Sequence, residues 1–102
     1  MNRLIADKLP ELIGLCQQYA INSLYLFGSA ASGGFTPKSD LDFLVSFNDD
    51  LSFAEYTDNY FLLHEALCNL FGRKIDLVTQ NSLSNPYFIE EVERTKQLIY
   101  AA

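Results

Sequence analysis

The sequence predicts an α/β fold, a small β-sheet with helices packed against it. Three observations carry that expectation. Short apolar runs at Ser23–Phe27, Asp42–Phe47 and Lys74–Thr79 have the length and residue types of buried strands. Between and around them, apolar residues recur at helical spacing, first through Leu9, Leu12, Ile13, Cys16 and Ala20, then through Tyr56, Tyr60, Leu63, Leu67, Leu70 and Phe71. The two patterns alternate without repeat, linker or low-complexity stretch, so residues 1–102 read as one domain.

Each element has a local cause. Asp7 is expected to cap a first helix whose opening turn holds Pro10, where the missing N–H does no harm. Residues before Asp7 could add a further turn. The strand ending at Phe27 runs into Gly28-Ser29, and Ser29–Ser32 reads as a short helix closed by Gly33-Gly34. Thr36-Pro37-Lys38-Ser39 is a loop. Ser52-Phe53-Ala54-Glu55 has the spacing of a capping box, and Gly72 ends the long helix that follows as a left-handed cap would. Asn85-Pro86 starts a last helix, with Glu90, Glu91 and Glu93 on its solvated face. Gln97–Tyr100 is a short apolar tail suited to an edge strand. Local patterns do not order the strands.

Composition excludes several classes of function. Hydrophobic residues make up 49% of the chain and aromatics 14%, too much for a disordered tail. No apolar run approaches a membrane span, and the first eight residues lack a signal peptide's apolar stretch, so a cytoplasmic protein is expected. Cys16 and Cys68 each sit in a helical pattern and read as free thiols. The net charge of −6, with only seven Lys and Arg and no basic run, argues against tight binding of nucleic acid. It suits a protein that binds metal or docks on a basic partner.

The chemistry concentrates in one constellation. Gly28-Ser29 follows a strand directly, ten residues intervene, and Asp40-Leu41-Asp42 then opens the next strand. Alternation puts Asp40 and Asp42 on one face and sends Leu41 and Phe43 into the core. Two carboxylates so placed repel each other, and a cation between them lets both stay ionised. Mg²⁺ suits such hard oxygen ligands and commonly shares substrate phosphates. Asp76, between Ile75 and Leu77, is a third strand carboxylate facing the same site. Buried without a partner it would be costly. Gly28 lets backbone approach a phosphate, and Ser29 starts a helix whose free N–H groups favour an anion. An ordinary strand-to-helix turn would account for Gly28-Ser29 alone; the aspartates at this spacing favour phosphate. No lysine follows as in a P-loop.

Together, Leu26-Phe27-Gly28-Ser29, the ten-residue gap, Ser39-Asp40-Leu41-Asp42-Phe43-Leu44-Val45 and Lys74-Ile75-Asp76-Leu77-Val78 resemble the DNA polymerase beta-type nucleotidyltransferase superfamily. The small size, with Asn85-Pro86-Tyr87-Phe88-Ile89 and Leu98-Ile99-Tyr100, is similar to its minimal members, the MNT proteins, and the resemblance covers nearly the whole chain. It implies a mixed sheet flanked by helices, like the polymerase beta palm, with two Mg²⁺ ions and ATP or another nucleoside triphosphate as substrate. It implies Gly28 and Ser29 as phosphate-binding residues, and Asp40, Asp42 and Asp76 as catalytic metal ligands. Minimal members commonly act as antitoxins that transfer AMP to a tyrosine of a HEPN-domain toxin, so a HEPN partner is implied here.

One departure from the family pattern stands out. Ser32 occupies the place where many relatives carry arginine, and serine cannot copy bidentate phosphate binding; Lys38 is a candidate substitute. An alternative is therefore a catalytically weak or inactive antitoxin that neutralises its partner by binding alone. Nucleotidyl transfer to nucleic acid is disfavoured by the acidic charge. A homo-oligomer is compatible with the sequence. His64, the only histidine, is expected to take a surface or packing role rather than a catalytic one; Arg73 and Lys74 are expected to close a helix–strand turn, with a phosphate role secondary.

Overall fold

The computed structural model describes all 102 residues. In chain order the elements are α1 (Arg3–Asp7), α2 (Leu9–Gln18), β1 (Ile21–Phe27), α3 (Ser29–Ser32), β2 (Leu41–Phe47), α4 (Phe53–Phe71), β3 (Ile75–Thr79), a 3-10 turn (Gln80–Ser82), α5 (Pro86–Thr95) and β4 (Gln97–Ala101). The four strands form one mixed sheet in the order β3-β2-β1-β4. β1 is antiparallel to both β2 and β4, and β2 is parallel to β3.

The α/β expectation holds, and the tail strand lies at an edge. The start of the chain departs from expectation. Asn2 caps α1 by accepting the Leu4 N–H at 2.8 Å, and Asp7 ends that helix instead of starting the next. Lys8 occupies the cap position of α2 with no side-chain hydrogen bond, so Pro10 alone marks the start of α2. The later boundaries follow their local chemistry. Ser52 and Glu55 form the reciprocal capping box, and Gly72 closes α4 in the left-handed conformation. Asn85 caps α5 by accepting from Tyr87 and Phe88 N–H groups.

The sheet divides two layers of packing. On one face Leu24, Leu26, Leu41, Phe43 and Val45 meet Ile5, Leu12 and Cys16 from α1 and α2, and Leu63 and Leu67 from α4. Burial there raises the Cys16 thiol pKa to about 12, so it remains protonated; both cysteines are free. On the other face Phe27 and Leu44 pack with Val92 of α5. β2 thus packs apolar residues on both sides, with Leu44 facing α5 between the polar Asp42 and Ser46. The α4 stripe behaves as read, although Phe61, on its flank, is 64% exposed. No helix is long and apolar enough to cross a membrane.

Candidate active site

The α5 face of the sheet carries the acidic residues. Phe27, Asp42 and Asp76 form one row across three strands, since Phe27 is the register partner of Asp42, and Asp42 that of Asp76. Neighbours in register project from the same face, so the Asp42 and Asp76 carboxylates stand side by side. Asp40 lies two residues before Asp42, on the same face by alternation. Ile75 and Leu77 point the other way and are buried. Asp76 itself is exposed, because β3 is an edge strand. The cost of burial therefore does not apply to it; mutual repulsion of the carboxylates does.

That repulsion is visible in Asp42. Its pKa is raised to about 6, first by partial burial, then by the charges of Asp76 and Asp40. Tyr60 is also raised, by burial and then by Asp76, and its hydroxyl donates to the Leu77 carbonyl at 2.6 Å. The nearest cation to Asp40 is Lys74, with Nζ 3.8 Å from Oδ2. Lys74 pairs with that carboxylate, and no three acidic, cysteine or histidine side chains close into a ready coordination shell. The donor set is nevertheless all carboxylate oxygen and short of positive charge, which fits a hard divalent cation.

Gly28 completes the row. It leaves β1 at φ 70° and ψ −152°, a region essentially confined to glycine. A Cβ there would collide with Asp42 Oδ2 and lie 3.2 Å from Asp42 Cγ. The carboxylate thus rests directly on the glycine backbone. Ser29 then begins α3, a single turn in which Ala31 and Ser32 N–H groups donate to the Gly28 carbonyl. The Gln97 side-chain amide donates to the Ala31 carbonyl at 3.1 Å, fixing α3 to β4. Ser32 is exposed, and no cation replaces the missing arginine on α3 itself.

The loop from Gly33 to Ser39 links α3 to Asp40. Thr36 and Ser39 close a turn in which Ser39 N–H donates to the Thr36 carbonyl and Thr36 N–H to Ser39 Oγ, both at 3.0 Å. Arg73 crosses to this loop from the turn between α4 and β3, a contact that the expected turn-closing and phosphate roles did not include. His64 packs as expected, with Nε2 2.9 Å from the Ile75 carbonyl.

Two concavities lie elsewhere. One of about 510 Å³ is lined by Asn22, Ser46, Asn48, Thr79 and Asn81 among others, at the opposite end of the strands. The second, about 450 Å³, is an apolar groove between α4 and β3 lined by Phe53, Tyr60, Phe61 and Leu77 among others. Neither includes Gly28, Ser29, Asp40, Asp42 or Asp76. The acidic row therefore lies outside both concavities, with Asp76 exposed at its edge.

Comparison with known proteins places this geometry. Residues 10–102 match the polymerase beta nucleotidyltransferase family. A Methanocaldococcus jannaschii protein named "Putative protein adenylyltransferase MJ1379" is 40% identical over 88 residues, covering 84% of this chain and 82% of the relative. A second from that organism, of the same description (MJ0128), is 36% identical over 86 residues, covering 84% and 82%. Among solved structures, a "putative minimal nucleotidyltransferase" superposes with a TM-score of 0.68 at 26% identity, covering 95% of each chain. A toxin–antitoxin structure with AMP-PNP gives a TM-score of 0.71 at 23% identity, covering 92% of this chain and 73% of that one. A tri-AMPylated Shewanella oneidensis HEPN toxin in complex with its MNT antitoxin gives 0.59 at 22% identity, covering 100% and 74%. At those last two identities the likeness shows the fold alone. The chain belongs to the polymerase beta nucleotidyltransferase family and is one of its minimal members.

Proposed function

We propose that this protein transfers AMP from ATP to a hydroxyl of a HEPN-domain toxin, a tyrosine by preference, and thereby acts as its antitoxin. The observation that carries the reading is Asp42 and Asp76 in register, with the Asp42 carboxylate against Gly28 and Asp76 exposed at the sheet edge. A pocket for a small acceptor would envelop it. The exposed edge at Asp76 admits the surface of another protein. The relatives named as protein adenylyltransferases support that acceptor class, and the AMPylated HEPN toxin beside an MNT antitoxin supports the partner.

Asp40, Asp42 and Asp76 are the residues that would hold Mg²⁺. Bound there, it would neutralise phosphate charge and favour the ionised form of the attacking hydroxyl. The chain's own residues do the rest. Gly28 leaves room for the Asp42 carboxylate, and Ser29 offers a hydroxyl and the start of α3 to the phosphates. The acceptor oxygen bonds to the α-phosphorus, the bond to the bridging oxygen of the β-phosphate breaks, pyrophosphate leaves, and the hydroxyl proton passes to solvent. Asp76, exposed on the edge strand, stands on the side open to the acceptor.

A second reading has one observation in its favour. Ser32 is exposed on α3, which carries no cation of its own; on this reading triphosphate binding is weaker and neutralisation rests on contact alone. Incubation with α-labelled or γ-labelled ATP, Mg²⁺ and a candidate HEPN-domain partner separates the two. Label on a partner tyrosine from α-labelled ATP only supports transfer. Neutralisation of the toxin without label supports the binding module.

A further inference from the structure

We propose that Arg73 is the positioning residue of the acidic site, holding in place the loop that delivers Asp40. This deepens the reading above and rests on it for the role of Asp40. The structural part stands on geometry alone.

The segment between α3 and β2 contains Gly33, Gly34 and Pro37 and has no regular structure of its own. Its outcome matters because Asp40 follows it directly. Arg73 grips it twice. The guanidinium lies 4.8 Å from the centre of the Phe35 ring, over its face, and Nη1 donates to the Ser39 carbonyl at 3.1 Å. Guanidinium is planar and weakly hydrated and carries its donors in a rigid fork, so it stacks and donates in one pose with less loss of freedom than lysine's flexible ammonium. The adjoining residue adds two contacts. Lys74 accepts the Leu41 N–H at its carbonyl at 3.2 Å, and its ammonium pairs with Asp40. The lead into β3 therefore fixes the lead into β2 at Phe35, Ser39, Asp40 and Leu41. Asp76 sits three residues beyond Arg73, so the two acidic segments are set relative to each other by the same residues. Arg73 and Phe35 are both half-buried, which keeps the stacked contact away from full solvent screening.

The test compares unaltered protein with Arg73→Ala, Arg73→Lys, Phe35→Leu and the Arg73→Ala/Phe35→Leu double variant. Backbone ¹⁵N order parameters of residues 33–40 are read without added metal. Mn²⁺ affinity is then read by titration, and thermal midpoints check folding. The expected result is a fall in the loop's order parameters from about 0.85 to below about 0.6 in Arg73→Ala, with β1 and β2 unchanged. Mn²⁺ affinity should fall by about tenfold, in the range seen when a residue supporting metal ligands is removed. Phe35→Leu should reproduce part of both effects, the double variant should add little to Arg73→Ala, and Arg73→Lys should not restore the loop. An ordered loop in Arg73→Ala, full rescue by lysine, or additive effects of the two changes would each overturn the inference. Failure of the unaltered protein to bind Mn²⁺ would count against the cation reading of the site, and the loop's order parameters would still decide the role of Arg73.

Discussion

Gly28 and Asp42 occupy each other's space: the Asp42 carboxylate lies where a side chain at position 28 would be. Gly28 also has φ 70° and ψ −152°, a conformation other residues pay to adopt. Two independent constraints therefore exclude a Cβ there. We expect Gly28→Ala to cost about 1–3 kcal/mol of stability from backbone strain. It should also displace the Asp42 carboxylate and lower transfer by about a hundredfold or more, as misplacement of a reacting group by an ångström can do. Urea denaturation and initial transfer rates check the two parts separately.

The Asp42 carboxyl gives a pH dependence with a definite sign. Its pKa rises to about 6 in the folded chain, from an ordinary value near 3.8. Between those values the folded state holds more protons than the unfolded state. Stability of the metal-free protein should therefore increase as pH falls from about 7 towards 4, as far as this group is concerned. Asp42→Asn should flatten that part of the profile and leave the protein at least as stable at neutral pH. A divalent cation should bring the pKa back down, which an NMR titration of Asp42 with and without Mg²⁺ measures directly.

Ser32→Arg should strengthen triphosphate binding. The side chain at position 32 is exposed on the turn that follows Gly28-Ser29, so arginine there meets no steric obstacle from the core. A charge-assisted hydrogen bond of about 1.5 kcal/mol corresponds to roughly a tenfold gain in affinity. Fluorescence titration with an ATP analogue measures it, and an unchanged affinity would place the phosphates away from α3.

At the edge of the sheet, Tyr60 and His64 of α4 satisfy the outward carbonyls of Leu77 and Ile75 at 2.6 and 2.9 Å. These contacts cover part of an edge that would otherwise be open to pairing. Tyr60→Phe should cost about 0.5–1.5 kcal/mol, the net worth of one such bond. Chemical denaturation at neutral pH tests it.

Much of this site was legible in the sequence because its determinants are local. Alternation alone put Asp40 and Asp42 on one face, with Leu41 and Phe43 opposite, and glycine beside serine marked the turn into α3. The capping box at Ser52 and Glu55 and the Asn85-Pro86 start follow from side chains within three residues of the backbone groups they satisfy. Strand order was not legible, because the pairing of β4 with β1 brings together residues more than seventy positions apart. The exposure of Asp76 depended on that order: the pattern shows which face a residue takes, and the position of the strand decides whether that face is covered. Asp7 ends α1, which Asn2 caps, and α2 starts without a side-chain cap. The grip of Arg73 on Phe35 joins positions 38 residues apart, and no motif announces it.

The central claim is that the acidic row performs transfer, and one comparison tests it most directly. Unaltered protein and Asp42→Asn are each mixed with α-labelled ATP, Mg²⁺ and the HEPN partner, and binding to the partner is measured in parallel. The account predicts label on the partner with unaltered protein, a loss of about a thousandfold or more in Asp42→Asn, in keeping with the size of electrostatic terms in catalysis, and unchanged binding. Equal labelling by the two proteins would contradict it.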